Sequence, residues 1–153
     1  MQDQIKIRDA VRADADTLIE FNMCMAKETE DKALDPKILT AGVNAVFENP
    51  AHGFYLVAEI DGDVAGALMV TTEWSDWRNG QFWWIQSVYV APAFRRKSVF
   101  RALYEKVRER AGKSEQVCGC RLYVERENST AQATYSQLGM TDAGYRVFEE
   151  MFS

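Results

Sequence analysis

Arg95, Arg96 and Lys97, followed by Ser98 and then Arg101, cluster cations in a chain whose formal net charge is −5. They come after Val88-Tyr89-Val90-Ala91-Pro92, which alternates as a strand and turns at Pro92. They precede a stretch where Phe100, Leu103, Tyr104, Val107 and Ala111 recur at helical spacing. A helix starting there presents unpaired N–H groups and the positive end of its dipole. Amides, dipole and cations in one place form an anion site suited to phosphates.

Other residues add chemistry downstream and upstream. Asn128 and Tyr135 are seven residues apart, two helical turns, so they share a face with Ala131 between them. A helix cap and a phenol can line one ligand there. The same pair also fits a plain N-cap and a half-buried core tyrosine. Glu73-Trp74-Ser75-Asp76-Trp77 interleaves acids and tryptophans, which can hold a cation by charge and cation–π contacts. Equally, the tryptophans can pack at a sheet end while the acids face water. His52 is the only histidine and sits in the turn Asn49-Pro50-Ala51-His52-Gly53, which rules out a Ser-His-Asp or Cys-His constellation. The three cysteines, Cys24, Cys118 and Cys120, are odd in number and widely spaced. They read as small buried apolar residues rather than a disulfide framework or metal set.

The elements that must position these groups belong to one domain spanning residues 1–153. That length supports a real core, and 47% hydrophobic with 27% charged residues is ordinary for a soluble protein. No run is long enough for a membrane span, and Met1-Gln2-Asp3-Gln4 has no secretory pattern, so a cytoplasmic location is expected. The acidic balance argues against a nucleic-acid partner.

Ile5 to Arg8 reads as a first strand. Asp14 is placed to cap a helix from Ala15, burying Leu18, Ile19, Phe21, Met25 and Ala26, until the polar run Lys27 to Lys32. Asp35-Pro36 starts a second helix with Ile38, Leu39, Val43, Val46 and Phe47 inward. Phe54 to Ile60, Val64 to Glu73 and Gln81 to Val90 form an antiparallel meander, with Asp61-Gly62 as its first turn. In the last of these, Trp84 and Gln86 are expected on the face of Val88. A third helix stops at Gly112. Val117 to Val124 returns as a strand parallel to its predecessor. Asn128 caps a fourth helix ending at Gly139, and Tyr145 to Phe152 closes as a last strand. The expected class is α/β of the α+β type: a mixed, mostly antiparallel sheet with one parallel step, in the order β-α-α-β-β-β-α-β-α-β.

That order, with Val88 to Leu103 and Asn128 to Met140, resembles the GNAT superfamily of N-acetyltransferases. The first motif is similar to the family's V-x-P-x-x-[QR]-x-x-G-x-[GA]-x-x-L, and the second to N-x-x-A-x-x-x-Y-x-x-x-G-F. The resemblance implies acetyl-CoA as cofactor. Backbone groups of Val88, Tyr89 and Val90 would pair with its pantetheine arm, and the amides from Arg96 through Lys97, Ser98, Val99 and Phe100 to Arg101 would hold its pyrophosphate. Arg95 and Asn128 would line the same site. An amine would attack the thioester directly, an amide near Val88 would stabilise the oxyanion, and Tyr135 would protonate the departing thiolate. The acceptor site would draw on Glu73, Trp74, Asp76, Trp77 and Gln86.

Two family positions differ here. Ser98 stands where the family has glycine, and Phe100 stands at its second small residue. Phe100 either turns into the core, freeing its amide, or obstructs the cofactor. No carboxylate lies on the strand Phe82 to Ser87, so the general base is unassigned among Glu28, Glu73, Asp76, Glu125 and a water chain, and an amine arriving already neutral would need none. The acceptor expected is a small-molecule or peptide amine. A second copy is a possible partner, covering an edge left by a short last strand. The rival readings are a non-catalytic acyl-CoA sensor and a phosphate-binding module without CoA.

Overall fold

The computed structural model describes residues 4–152. Ile5–Asp9 forms β1, and Ala15–Glu30 forms α1. Pro36–Glu48 forms α2, where the Asp35 carboxylate accepts the Lys37 N–H at 2.9 Å. Proline at the first helical position costs nothing, because its missing N–H would be unpaired there anyway. Phe54–Ile60, Asp63–Ser75 and Gly80–Val90 form β2, β3 and β4. Asp61 and Gly62 join β2 to β3 with positive φ at both positions, as a tight hairpin requires. Val99–Gly112 is α3, Val117–Leu122 is β5 and Ser129–Gln137 is α4.

The chain divides into two compact units, one ending at Tyr123 and one starting at Val124. In the first, five strands lie in the order β1-β2-β3-β4-β5. Every pairing is antiparallel except β4 with β5, which is parallel. One face of the sheet carries Tyr55, Val57, Ala67 and Tyr89, buried with Ala15, Leu18 and Phe21 of α1 and Val43 of α2. On the opposite face α3 buries Val99, Leu103, Val107 and Ala111. The second unit holds α4, where Asn128 Oδ1 accepts the Ala131 N–H at 3.1 Å, the expected cap.

Six expectations are corrected. Asp14 does not cap α1. Its carboxylate is turned to Arg8, at 2.8 Å, and to the Val11 N–H, at 2.7 Å. The helix itself runs through the polar stretch to Glu30, since Lys, Glu and Thr on a solvent face do not stop a helix whose other face is buried. Ile38 of α2 is 72% exposed; the inward stripe is narrower than its hydrophobicity implies. Cys118 is exposed, because β5 is the last strand of the sheet. The inward stripe of α3 begins at Val99 rather than Phe100. Residues 141–152 take no strand form among the described residues. No helix of the described residues is long and apolar enough to cross a membrane.

Candidate active site

The decisive local feature is a bulge in β4. Ala67 is opposite Tyr89, but Met69 is opposite Gln86, so β4 holds one residue more than β3 across this step. Ser87 takes φ +51° there. A bulge of this kind bends the strand and leaves peptide groups outside the ladder. Ser87 and Val88 have no register partner in β3. The bulge also shifts side-chain parity, so Gln86 and Trp84 share the face of Tyr89 and not that of Val88, as an unbroken strand would have had it.

On its other side β4 parts from β5. Parallel pairing runs from Gln81 opposite Val117 to Ile85 opposite Leu122 and ends there. Among the described residues, no strand pairs with β4 from Gln86 to Val90 on the side where β5 lies. An open strand edge accepts an extended partner through main-chain hydrogen bonds. The Val90 carbonyl accepts from Arg95 Nε at 3.0 Å.

Beyond Pro92 the turn enters α3. Ser98 precedes the helix with φ +63°, and Arg96 has φ +66°. Serine has thus adopted the left-handed backbone that glycine provides without cost. Ala102 N–H is the first to bond back, to the Ser98 carbonyl at 3.0 Å, so the first-turn amides precede the helical ladder. Phe100 is half-buried and stacks on Tyr104 one turn later, with centroids 6.2 Å apart. It follows the helix surface rather than entering the core, which Val99 occupies in its stead. Gly66 lies close beneath: a Cβ there would stand 2.8 Å from the Tyr89 carbonyl oxygen and 3.0 Å from Val99 Cγ1. Close approach of β3 to this corner needs glycine.

The cations differ in their engagement. Arg95 donates to Glu28 of α1 at 2.8 Å and lies over the Tyr89 ring at 5.5 Å. Tyr89 donates its hydroxyl to the same Glu28. Those two donors hold the Glu28 carboxyl below its ordinary range. Burial and then the bond to Glu28 push Tyr89 up to about 12. Arg101 pairs with Glu105 one turn on, at 3.1 Å. Arg96 and Lys97 are exposed in the turn.

The expected acceptor residues separate. Glu73 receives Arg121 of β5 at 2.9 Å and Trp84 Nε1 at 3.2 Å. The Arg121 guanidinium lies 3.6 Å from the centroid of Phe82, and Trp84 stacks on Tyr123 at 4.5 Å. Gln86 donates to Thr71 Oγ1. Glu73, Trp84 and Gln86 share one face. Trp74 continues β3 and is 60% exposed, while Trp77 sits in the hairpin turn, 89% exposed. Asp76 also lies in that turn. The Trp–acid cage expected from residues 73–77 does not form, because strand alternation sends Glu73 and Trp74 to opposite faces. Ser87 and Arg121 carry no sequence signal that marks them. In the second unit Tyr135 is half-buried, and burial raises its phenol pKa.

Comparison with known proteins places this architecture. Residues 16–140 match the model of the Acetyltransferase (GNAT) family. The chain belongs to that family: it is an N-acetyltransferase, and its cofactor is acetyl-CoA. It is similar, at 45% identity and TM-score 0.91, to the crystal structure of a possible acetyltransferase from Clostridium difficile 630, over 97% of this chain and 98% of that one. A predicted acetyltransferase from Clostridium acetobutylicum, solved with acetyl-CoA, is 16% identical with TM-score 0.78, over 96% of each chain. The aminoglycoside enzyme AAC(6')-Iy, solved with a CoA bisubstrate analogue, is 17% identical with TM-score 0.75, over 98% of this chain and 99% of that one. Those last two likenesses show the fold alone. Nothing matches among curated proteins.

Proposed function

We propose that the chain moves the acetyl group of acetyl-CoA to a primary amine by direct attack, in the cytoplasm, on a small-molecule or peptide acceptor. The observation that carries this reading is the open edge of β4 from Gln86 to Val90, bulged at Ser87 and followed by the first turn of α3. The residues fit the cofactor: an extended arm can pair with backbone of Val88, Tyr89 and Val90, and a pyrophosphate can meet the first-turn amides through Arg101. Arg96, Lys97 and the left-handed Ser98 lead directly into that turn. Phe100 lies half-buried along the helix, stacked on Tyr104.

Bound acetyl-CoA supplies an activated acyl thioester. The chain supplies the rest. A backbone N–H at the bulge, near Val88, would stabilise the oxyanion that forms on the acyl oxygen. Tyr135 would be the acid for the departing sulfur, and its raised pKa keeps the proton on the phenol at neutral pH. Asn128 holds the start of α4. Glu28, kept ionised by Tyr89 and Arg95, offers a cationic amine a carboxylate on the Tyr89 face. A carboxylate so stabilised is a poor base, so the amine loses its proton to water. Gln86, Glu73 and Trp84 wall the same face, while Trp74, Asp76 and Trp77 lie at the hairpin end. The three free thiols suit a reducing compartment. A second copy of the chain belongs to the same reading as a partner.

An acetylation screen over amine classes, read by release of free thiol, tests the reaction. Turnover with at least one primary amine is expected; acetyl-CoA binding with no transfer to any class would favour a sensor. Tyr135→Phe is expected to lower kcat by about 10²-fold or more, with CoA affinity nearly unchanged. Unaltered turnover would remove Tyr135 as the acid.

A further inference from the structure

Gln86, Trp84 and Glu73 wall one face of the sheet, and β5 completes that wall. Register puts Glu73 opposite Phe82 on β4, and it puts Gly119 and Arg121 of β5 opposite Phe82 and Trp84. Residues facing one another across strands share a face. Gly119 is required there, because a Cβ would stand 3.0 Å from Phe82 Cε1. With that space open, Phe82 lies buried beside β5, and the Arg121 guanidinium stacks on it at 3.6 Å from the ring centroid. Arginine suits this seat, since its planar cation packs on a ring while its edge meets a carboxylate. Arg121 Nη1 donates to Glu73 Oε1 at 2.9 Å, and Trp84 Nε1 donates to the same oxygen at 3.2 Å.

Glu73 is the only carboxylate in the facing stretches Ala67 to Glu73 and Phe82 to Tyr89, and Arg121 offsets its charge. A second cation brought to Glu73 would lie against the Arg121 guanidinium, and like charges placed together repel. Beside this neutralised pair is aromatic surface. Trp84 stacks on Tyr123 with centroids 4.5 Å apart, and Tyr123 is 60% exposed. Gln86 adjoins the bulge where the acetyl group is proposed to sit, and Trp84 is two residues away, about 7 Å along β4. An amine reacting at the bulge therefore has the Glu28 carboxylate at one end of its wall. At the other it has rings and a carboxylate already taken.

We propose that the acceptor carries one positive charge, on the reacting amine, with an aromatic ring a few bonds away that packs against Trp84 and Tyr123, and that Arg121 excludes diamines by covering Glu73. Exclusion by a built-in repulsive group is a common route to specificity. The proposal rests on the acetyl-transfer reading. Thiol release from acetyl-CoA by the full chain, with 2-phenylethylamine against 1,5-diaminopentane, tests it. Wild type should favour 2-phenylethylamine in kcat/KM by at least about tenfold. Arg121→Gln should raise kcat/KM for 1,5-diaminopentane about fivefold, mostly through KM, and adding Glu73→Gln should remove that gain. Tyr123→Ala should lower kcat/KM for 2-phenylethylamine about threefold or more and leave that for the diamine unchanged. Calorimetric CoA affinity equal to wild type identifies the folded variants, and the wild-type ratio and Tyr123→Ala decide the matter if Arg121→Gln does not fold. A wild-type preference for the diamine, or a folded Arg121→Gln with an unchanged ratio, would overturn the proposal. Thiol release with no amine of any class would remove the acetyl-transfer reading and this one together, whereas turnover in the reverse order of preference removes this one alone.

Discussion

Arg8 and Asp14 show how a single charge pair positions a whole element. The Arg8 side chain bonds Asp14 through two nitrogens, at 2.8 and 3.0 Å, and Glu59 at 2.6 Å. Asp14 is only 7% exposed, and it ties β1 to the start of α1. The Arg8 hydrogen bond, outweighing burial, lowers the Asp14 pKa. Asp14→Ala is expected to cost about 2 kcal/mol at neutral pH, measured by urea unfolding. A carboxyl whose folded pKa is depressed stabilises above its unfolded value and loses that contribution as pH falls through the folded one. The gap between wild type and variant should therefore close below about pH 4. The same logic holds at Glu28, which Tyr89 and Arg95 keep charged by donating to it.

The loop from Arg95 to Ser98 and the bulge at Ser87 combine positive-φ backbone with the proposed cofactor site. Ser98 sits at φ +63°, a region that costs a non-glycine residue about 1 kcal/mol or more, most for β-branched side chains. Ser98→Gly should leave CoA affinity equal or better, whereas Ser98→Val should weaken it by about tenfold, since the first-turn amides would be re-aimed. Isothermal titration with CoA distinguishes these outcomes; equal affinity in both variants would show that the turn's backbone is immaterial to binding. The two-residue difference at β5, expected to run to Val124 and ending at Leu122, bears on the proposed site. Its pairing with β4 stops at Ile85, before the stretch of β4 where the proposed cofactor arm would lie.

A net charge of −5 spread over the chain leaves a field that favours cationic acceptors. If the acceptor is a free cationic amine, kcat/KM should fall several-fold between roughly 0.01 M and 1 M salt, because screening contracts from about 30 Å to about 3 Å. A flat salt profile would point to a neutral or anionic acceptor. Rates measured with the best amine of the screen decide this.

Much of the architecture was legible from residues alone, because hydrophobic period, turn chemistry and caps are local. Asp35-Pro36, Asp61-Gly62, Asn128 and the meander from Phe54 to Val90 all appear where their types demand. The cation turn, the α3 start and the paired motifs around Ser98 and Tyr135 are likewise sequential signals, and they sufficed to name the family and its cofactor. What tertiary structure alone decided is whatever depends on register or on distant neighbours. The bulge at Ser87 moved Gln86 to the face of Tyr89, because one extra residue reverses every side chain that follows. Arg121 reached Glu73 across the sheet, 48 residues away, and alternation dispersed the Trp–acid cluster. The segment after Gly144 has a strand's pattern without a strand among the described residues, because a strand needs a neighbour that the pattern alone does not supply.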